Sequence, residues 1–190
     1  MTELFLDTFD SELGKILLVT NGKALCALDF VDYESRMTKL LQKRYGETWL
    51  MTPPSHDGFS QTLRQCLQAY LAGDNTSLDE IPVSLGGTPF QQQVWLGLRS
   101  IPFGSVITYS EFAGKLGKPT ACRAVGMTNS LNPVAIVLPC HRVIGANGHL
   151  TGYAGGLERK RWLLQHEGVD LTPFKQPRSP HQLEILSMNL

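Results

Sequence analysis

The feature that most constrains the fold of this chain is a break near its middle, at Gly86-Gly87, where the pattern of apolar residues changes. Immediately after the break, residues 88–91 (Thr-Pro-Phe-Gln) place an N-cap threonine, a proline at the first helical position and a glutamine three residues on. This arrangement is typical of a helix start. The break therefore predicts two parts, an α/β unit over residues 1–84 and a mainly helical unit over residues 85–168.

The first part reads as a small sheet followed by two helices. Three short runs of apolar or alternating residues predict the strands of a β-meander. Polar turns such as Asn21-Gly22 separate them. The runs cover residues 4–9, 15–20 and 24–30. Apolar positions at helical spacing then predict helices at about 33–45 and 59–72. Residues 81–85 are a candidate for a further strand.

The second part predicts a pair of short helices joined by a glycine-containing turn. A capping box at residues 108–111 starts a helix that stops at Gly117, and Pro119 opens another that runs to about Met127. Such a pair is a candidate helix-turn-helix, although many helical pairs share the pattern. A last amphipathic helix ends at Gly168, and residues 169–190, which have no clear period, are expected to be a poorly ordered tail.

Charge is distributed unevenly although the chain as a whole is neutral. Residues 1–84 carry 7 Lys and Arg against 12 Asp and Glu, a net charge of −5, whereas residues 85–168 carry 8 against 3, a net charge of +5. This asymmetry favours an anionic partner for the second part. The alternative is that the two parts attract each other.

Composition points to an ordinary globular protein of a reducing compartment. Of the 190 residues, 42% are hydrophobic and 18% charged, and no apolar run approaches the ~18 residues of a membrane span. The acidic start of the chain does not resemble a signal peptide, and the four cysteines show no C-x-x-C spacing. We therefore expect a cytoplasmic protein with free thiols and no contact with membranes.

Cys140 lies between a proline and a histidine–arginine pair, and a thiol is a nucleophile only when a base or a positive charge promotes the thiolate. His141 and Arg142 are the candidates for this role. Neighbours in an extended segment point to opposite faces, so a bridging water between Cys140 and His141 is more plausible than a direct bond. The orienting carboxylate would be one of Glu111, Glu158 and Glu167. The alternative is a buried, inert cysteine.

The second of the paired helices shows small residues around one cation, Arg123. A helix that reads base edges usually displays several long polar side chains, so this face is too plain for a base code. It suits close approach to a groove floor with one long side chain to insert, or alternatively close packing against another helix. The small residues are Ala121, Cys122, Ala124 and Gly126.

Four segments in this order resemble the O6-alkylguanine-DNA alkyltransferases, most closely the constitutive bacterial Ogt type. They are Arg-Ala-Val-Gly at 123–126, Asn-Pro at 132–133 with Pro-Cys-His-Arg-Val at 139–143, Gly-Tyr-Ala-Gly-Gly at 152–156, and Trp-Leu-Leu-Gln-His-Glu-Gly at 162–168. The resemblance is strong over 85–168 and weak over 1–84. It implies a ribonuclease H-like α/β N-terminal domain, and a mainly α C-terminal domain with a winged helix-turn-helix and the active-site cysteine.

The resemblance also implies a reaction, the irreversible transfer of an alkyl group from O6-alkylguanine in DNA to Cys140, with O4-alkylthymine as a further candidate substrate. His141 would deprotonate the thiol through a water and Glu167 would orient the imidazole. Tyr109 would donate to the departing guanine, and Asn132 would stabilise the turn before the cysteine. Each protein molecule would react once.

The same resemblance implies a partner and a pocket. The partner is double-stranded DNA with an alkylated base, bound without sequence preference by a monomer, and the base is flipped out of the stack. Arg123 would fill the vacated space from the minor groove. Residues at the DNA would be Arg123, Tyr109, Ala121, Ala124 and Gly126, and residues of the pocket would be Pro139, Val143, Tyr153 and Ala154. No cofactor or metal is expected.

Departures from the family pattern occur at Met127–Ser130 and at Cys122. Three other classes are alternatives: a cysteine peptidase or acyl hydrolase, a lesion-binding protein that lacks the acceptor cysteine, and a transcriptional regulator. The basic second part argues against the first class, and Cys140 argues against the second. The chain has no cysteine-rich metal domain of the kind expected for the third.

Overall fold

The N-terminal part of the protein is a four-stranded mixed sheet with two helices. The computed structural model describes residues 2–46, 58–146 and 148–174, together with the backbone of residues 49–52. Its first elements are strands β1 (Thr2–Ser11), β2 (Gly14–Thr20) and β3 (Leu25–Phe30), helix α1 (Glu34–Tyr45), strand β4 (Trp49–Thr52) and helix α2 (Gly58–Leu71).

The predicted meander is confirmed, and the sheet contains one strand that the sequence did not reveal. Strands β1, β2 and β3 pair antiparallel, and β4 pairs parallel with β1, giving the order β3-β2-β1-β4. The predicted strand at 81–85 is present only as a single bridge between Leu25 and Val83. Strand β3 therefore lies at an edge of the sheet, where its backbone can form hydrogen bonds with the second part of the chain.

The C-terminal part consists of short helices and one small two-stranded sheet. Its elements are α3 (Pro89–Gly97), β5 (Ile107–Thr108), α4 (Tyr109–Lys115), α5 (Cys122–Ser130), β6 (Val143–Ile144) and α6 (Leu157–His166). Both predicted capping boxes are formed, at Thr88 with Gln91 and at Thr108 with Glu111. A turn with Gly117 at a φ of 72° joins α4 to the 3-10 turn that precedes α5.

The two parts share a continuous hydrophobic core. Phe30 of β3, Leu67 of α2, Val94 of α3 and Leu138 belong to the same buried cluster. Each is almost completely removed from solvent, so the two parts stabilise each other by burying apolar surface. None of the helices in the part of the chain that the structure describes has both the length and the apolar character of a membrane span.

The segment expected to be a poorly ordered tail begins with a packed residue. Leu171 is 9% exposed and packs with Ile144, Leu150 and Leu164. Burial of a leucine side chain contributes about 1.5–3 kcal/mol, enough to hold this short segment against α6. The remainder of the predicted tail, residues 175–190, lies outside the described residues.

Candidate active site

The segment that leads to Cys140 is held by the edge of the N-terminal sheet. The Leu28 amide donates to the Pro133 carbonyl at 2.9 Å, and the Ala135 amide donates to the Leu28 carbonyl at 3.1 Å. The Arg36 guanidinium on α1 donates to the carbonyls of Ser130 and Asn132 at 2.7 and 3.0 Å. The chain before the cysteine is therefore fixed by contacts with the N-terminal part.

The side chain of Asn132 closes this segment into a compact turn. Its Oδ1 accepts from the Val134 amide at 3.0 Å, and its Nδ2 donates to the Leu138 carbonyl at 2.8 Å. Asn132 is 2% exposed, so these bonds are shielded from water. The side-chain amide of Asn132 thus bonds the backbone at both ends of the turn. These bonds set the distance between the end of α5 and Cys140.

Two tight turns in the backbone precede the cysteine. Ile136 has a φ of 67°, and the Val137 amide donates to the Ala135 carbonyl at 2.8 Å around it. This conformation is strained for a β-branched residue. The Cys140 amide donates to the Leu138 carbonyl at 2.7 Å around Pro139, which is buried. The chain therefore reverses twice within five residues, and the hydrogen bonds that surround it must hold this strained path.

Cys140 begins a 3-10 turn, Cys140–Arg142, and not the extended segment that the sequence analysis expected. In a 3-10 turn neighbouring side chains diverge by about a third of a turn. The side chains of Cys140 and His141 therefore still point in different directions. All three residues of the turn are buried.

A buried network surrounds the carboxylate of Glu167, which follows α6. His141 Nε2 lies 2.7 Å from Oε1, and the Tyr70 hydroxyl donates to the same oxygen at 2.8 Å. Arg142 donates from Nε to Oε2 at 2.8 Å and from Nη2 to Oε1 at 3.0 Å. Of the three carboxylates that the sequence left open, Glu167 is the one that meets His141; Glu111 bonds Thr108 at its own helix start.

These contacts fix the protonation of the network. Burial by itself would raise the pKa of Glu167, but the hydrogen bonds and charges of His141 and Arg142 outweigh it and lower that pKa to about 2. Glu167 is therefore ionised and only accepts, so His141 Nε2 must carry the proton that it donates. Burial lowers the pKa of His141, which makes the imidazole neutral at neutral pH. Its Nδ1 is buried and has no hydrogen-bond partner among the described residues.

The thiol of Cys140 is 3% exposed and is protonated in the free protein. Burial raises the pKa of the Cys140 thiol, although a hydrogen bond from Asn132 and the charges of Lys160 and Arg36 lower it in part. Arg142, one of the two candidates to promote the thiolate, binds Glu167 and the Ile101 carbonyl instead. Cys140 therefore needs a base at the moment of reaction.

Tyr109, at the start of α4, lies beside the carbonyl of Cys140. Asn129 Nδ2 donates to the Cys140 carbonyl at 3.3 Å and lies 3.5 Å from the Tyr109 hydroxyl. Burial raises the pKa of Tyr109 to about 12, and the hydrogen bond from Asn129 counteracts this in part. Tyr153 packs edge-on against His141 with ring centroids 6.4 Å apart, and its buried hydroxyl has no partner among the described residues.

Lys160 supports the strand that follows the cysteine. Its buried ammonium donates to the carbonyls of Val143 and Thr151 at 2.6 and 2.8 Å. Burial lowers the pKa of Lys160 to about 8, and the neighbouring Cys140 opposes this shift. A carbonyl oxygen has two lone pairs, so the Val143 carbonyl keeps one acceptor position, whereas the Cys140 carbonyl already accepts from the Val143 amide and from Asn129 Nδ2. Ala154, on the loop after Tyr153, is half-buried.

The N-terminal half of α5 presents the expected small, basic face. Arg123 and Ala124 are exposed, and Ala121 is half-buried in the 3-10 turn before the helix. Gly126 faces inward, since a Cβ at this position would lie 3.8 Å from the Tyr109 ring. Met127 is 57% exposed and follows Arg123 by one helical turn. Helix α5 therefore places Arg123 at the surface and Gly126 against the ring of Tyr109, which lies in the buried site.

Sequence reasoning missed four residues that hold the site together: Tyr70, Arg36, Asn129 and Lys160. The first two lie in the N-terminal part, far along the chain from Cys140, and gave no signal. Lys160 lies in a charged run, 158–161, that reads as a solvent-exposed face. Among the described residues, no group of three or more His, Cys, Asp or Glu side chains is placed to hold a metal ion.

Sequence comparison finds one family over residues 4–85 and 89–169 of the chain. The model of the "6-O-methylguanine DNA methyltransferase, DNA binding domain" matches residues 89–169, and that of the "ribonuclease-like domain" of the same methyltransferase matches residues 4–85. A methylated-DNA–protein-cysteine methyltransferase of Shigella flexneri is 43% identical over 171 residues, covering 88% of this chain and 98% of its own. One of Mycobacterium tuberculosis is also 43% identical, with 96% of its own length covered.

Solved structures agree with the sequence matches. The structure of Mycobacterium tuberculosis OGT in complex with DNA has a TM-score of 0.69 and 38% identity, covering 87% of this chain and 92% of its own. The O6-methylguanine-DNA methyltransferase of the hyperthermophilic archaeon Pyrococcus kodakaraensis has a TM-score of 0.62 and 26% identity, covering 87% and 99%. The two-part architecture described above is therefore that of these proteins.

Proposed function

The chain belongs to the 6-O-methylguanine DNA methyltransferase family, and we propose that Cys140 is the residue to which it transfers the alkyl group. It is a DNA repair enzyme that reverses the damage directly, as a methylated-DNA–protein-cysteine methyltransferase. One observation carries the assignment of Cys140. The cysteine is buried and precedes a neutral histidine whose Nε2 bonds Glu167 and whose Nδ1 has no partner within the described part of the chain.

The chemical step follows from these protonation states. His141 Nδ1 takes the thiol proton of Cys140 through a bridging water, and the positive charge that forms is stabilised by Glu167. The thiolate then attacks the alkyl carbon, so an S–C bond forms as the C–O6 bond breaks. The product is a thioether on Cys140, and because nothing removes it, each molecule reacts once.

The departing guanine develops negative charge, which a hydrogen-bond donor stabilises, and the proton that His141 took from the thiol then neutralises the base through water. Tyr109 is protonated at neutral pH because burial raises its pKa, and its hydroxyl lies beside the site, where it can donate to the leaving base. The Val143 carbonyl accepts from the exocyclic amine of guanine on its remaining lone pair, and the Cys140 carbonyl accepts from the same amine in place of its 3.3 Å bond from Asn129. Pro139, Tyr153 and Ala154 complete the walls of the pocket.

DNA is bound by the α4–α5 pair acting as a winged helix-turn-helix. Arg123 enters the minor groove and fills the space that the flipped base leaves, while the small residues Ala121 and Ala124 allow close approach. Binding is independent of sequence, and falls with salt, because contacts with phosphates dominate it. We further propose that the protein acts as a cytoplasmic monomer, with domains at 1–84 and 85–168 and a tail at 169–190.

Intact-protein mass spectrometry tests the assignment of Cys140. The protein is mixed with a duplex carrying one O6-methylguanine, and the modified peptide is mapped. The expected result is one added methyl group on Cys140 with an equimolar amount of restored guanine and no second turnover. Cys140→Ser, which keeps a similar volume, should bind the duplex without gaining mass; methylation of another cysteine would contradict the proposal.

A further inference from the structure

Tyr70 brings a hydroxyl from the N-terminal part into the network around Glu167. It lies in the last turn of α2, 97 residues before Glu167 along the chain, and donates to Oε1 at 2.8 Å. Tyr70 is 2% exposed, so water does not compete for this bond. Burial and the negative charge of Glu167 both raise the pKa of Tyr70, which therefore stays a donor.

The ring of Tyr70 is fixed by its neighbours on the C-terminal part. It packs edge-on against Phe103, with centroids 6.1 Å apart, and against His166, with centroids 5.3 Å apart. His166 also bonds the Tyr70 carbonyl through Nε2 at 2.8 Å and stacks on Trp162. The direction of the hydroxyl is therefore set by packing and not by the hydrogen bond alone.

Three donors converge on the same oxygen, Oε1 of Glu167. They are the Tyr70 hydroxyl, His141 Nε2 and Arg142 Nη2. A donor that shares this oxygen withdraws negative charge from it and leaves less to stabilise a positive imidazole. Tyr70 thus opposes the effect of Glu167 on His141.

Resting on the function proposed above, we propose that Tyr70 is a positioning residue for alkyl transfer, which holds the Glu167 carboxylate and limits the basicity of His141. The consequence is that His141 stays neutral, and can accept the thiol proton, over a wider range below neutral pH. The N-terminal part, which supplies no reacting atom in the mechanism above, then sets the pH range of the reaction through this hydroxyl.

Tyr70→Phe removes the hydroxyl and keeps the ring, so it tests the inference directly. The measurement is the single-turnover rate of methyl transfer from a saturating duplex between pH 5 and pH 9. Without its donor, Glu167 stabilises the protonated imidazole more strongly, so the acid limb of the profile should move to higher pH by roughly one unit or less. Transfer should slow by up to roughly tenfold on the acid limb and be nearly unchanged at pH 8.5, with the same Kd for DNA.

Tyr45→Phe is the matched control. Tyr45 ends α1 in the same part of the protein and packs with a cluster that excludes the Glu167 network. Its loss of a hydroxyl should leave the position of the acid limb unchanged. A Tyr70→Phe profile that falls by the same factor at every pH, or that coincides with wild type, would overturn the inference.

A second variant at the same position reverses the sign. Site-specific 3-fluorotyrosine at position 70 is a more acidic phenol and a stronger donor, so the acid limb should move to lower pH. This measurement remains available if Tyr70→Phe fails to fold, and a shift to higher pH or no shift would contradict the inference. Absence of methyl transfer to Cys140 in the wild-type protein would instead overturn the proposed function itself.

Discussion

Arg142 and Glu167 form a buried ion pair with two hydrogen bonds, from Nε to Oε2 at 2.8 Å and from Nη2 to Oε1 at 3.0 Å. The charge and hydrogen bonds of Arg142 help to lower the pKa of Glu167, so the carboxylate is ionised. Glu167 can then only accept from His141. The arginine of the Pro-Cys-His-Arg run therefore acts on the protonation of the histidine, and it does so through Glu167.

Glu167→Gln should destabilise the protein strongly, because it leaves the charge of Arg142 buried without an opposite charge. Breaking a buried ion pair from one side costs about 3–5 kcal/mol. The free energy of unfolding from urea titration measures this. The control is Glu111→Gln at the exposed start of α4, which should cost far less free energy of unfolding. Equal losses for both variants would contradict the account of the buried pair.

Stability should fall in acid as Glu167 takes up a proton. The pKa of Glu167 is about 2 in the folded protein against an ordinary value of 4.5, so the unfolded chain binds the proton first. The stabilisation is complete above pH 4.5 and is lost between about pH 4.5 and pH 2, amounting to roughly 3 kcal/mol. Urea titrations at pH 5, 4, 3 and 2 measure the slope. Glu167→Gln should show a shallower slope, and an identical slope would disprove the assignment.

Local signals in the sequence were sufficient for most of the elements. The turn at Asn21-Gly22 and the capping boxes that start at Thr88 and Thr108 depend on neighbouring residues, so they could be identified without knowledge of the fold. Strand β4, Trp49–Thr52, was missed because its identity depends on pairing with β1, which lies more than 40 residues earlier. Pairing between distant segments has no local signature.

The site could be predicted from the sequence only in part, because several of its contacts join segments that are distant along the chain. The residue run around Cys140 indicated a reactive thiol, but it could not show that Arg142 turns away from the cysteine to reach Glu167. Ile136 has a positive φ, which no sequence rule assigns to a β-branched residue. Tyr70 reaches the site only because the last turn of α2 meets the end of α6, where Tyr70 contacts His166, and that contact is a property of the tertiary fold.

Cys140 should react slowly with small alkylating reagents in the absence of DNA. Burial raises the pKa of its thiol above the ordinary value of 9.0 and restricts access, whereas Cys66 and Cys122 are half-buried. Peptide mapping after timed exposure to iodoacetamide at pH 8 should show Cys66 and Cys122 modified before Cys140. In urea, which unfolds the protein, Cys66, Cys122 and Cys140 should react at similar rates. Preferential labelling of Cys140 in the native protein would indicate a preformed thiolate and contradict the need for His141.

Arg123→Ala should impair repair of duplex DNA and spare reaction with a free base. Arg123 is exposed on α5, away from the buried atoms of the reaction, and its proposed task is to fill the gap left by the flipped nucleotide. A loss of about 1.4 kcal/mol in this step corresponds to roughly a tenfold slower transfer from an O6-methylguanine duplex. The rate with free O6-benzylguanine should be unchanged, because no base pair has to open.

The control is Lys118→Ala, which removes an exposed cation from the turn before α5 and should weaken duplex binding only slightly. Equal loss with the duplex and with the free base would show that Arg123 supports the pocket itself and not the flipping of the base.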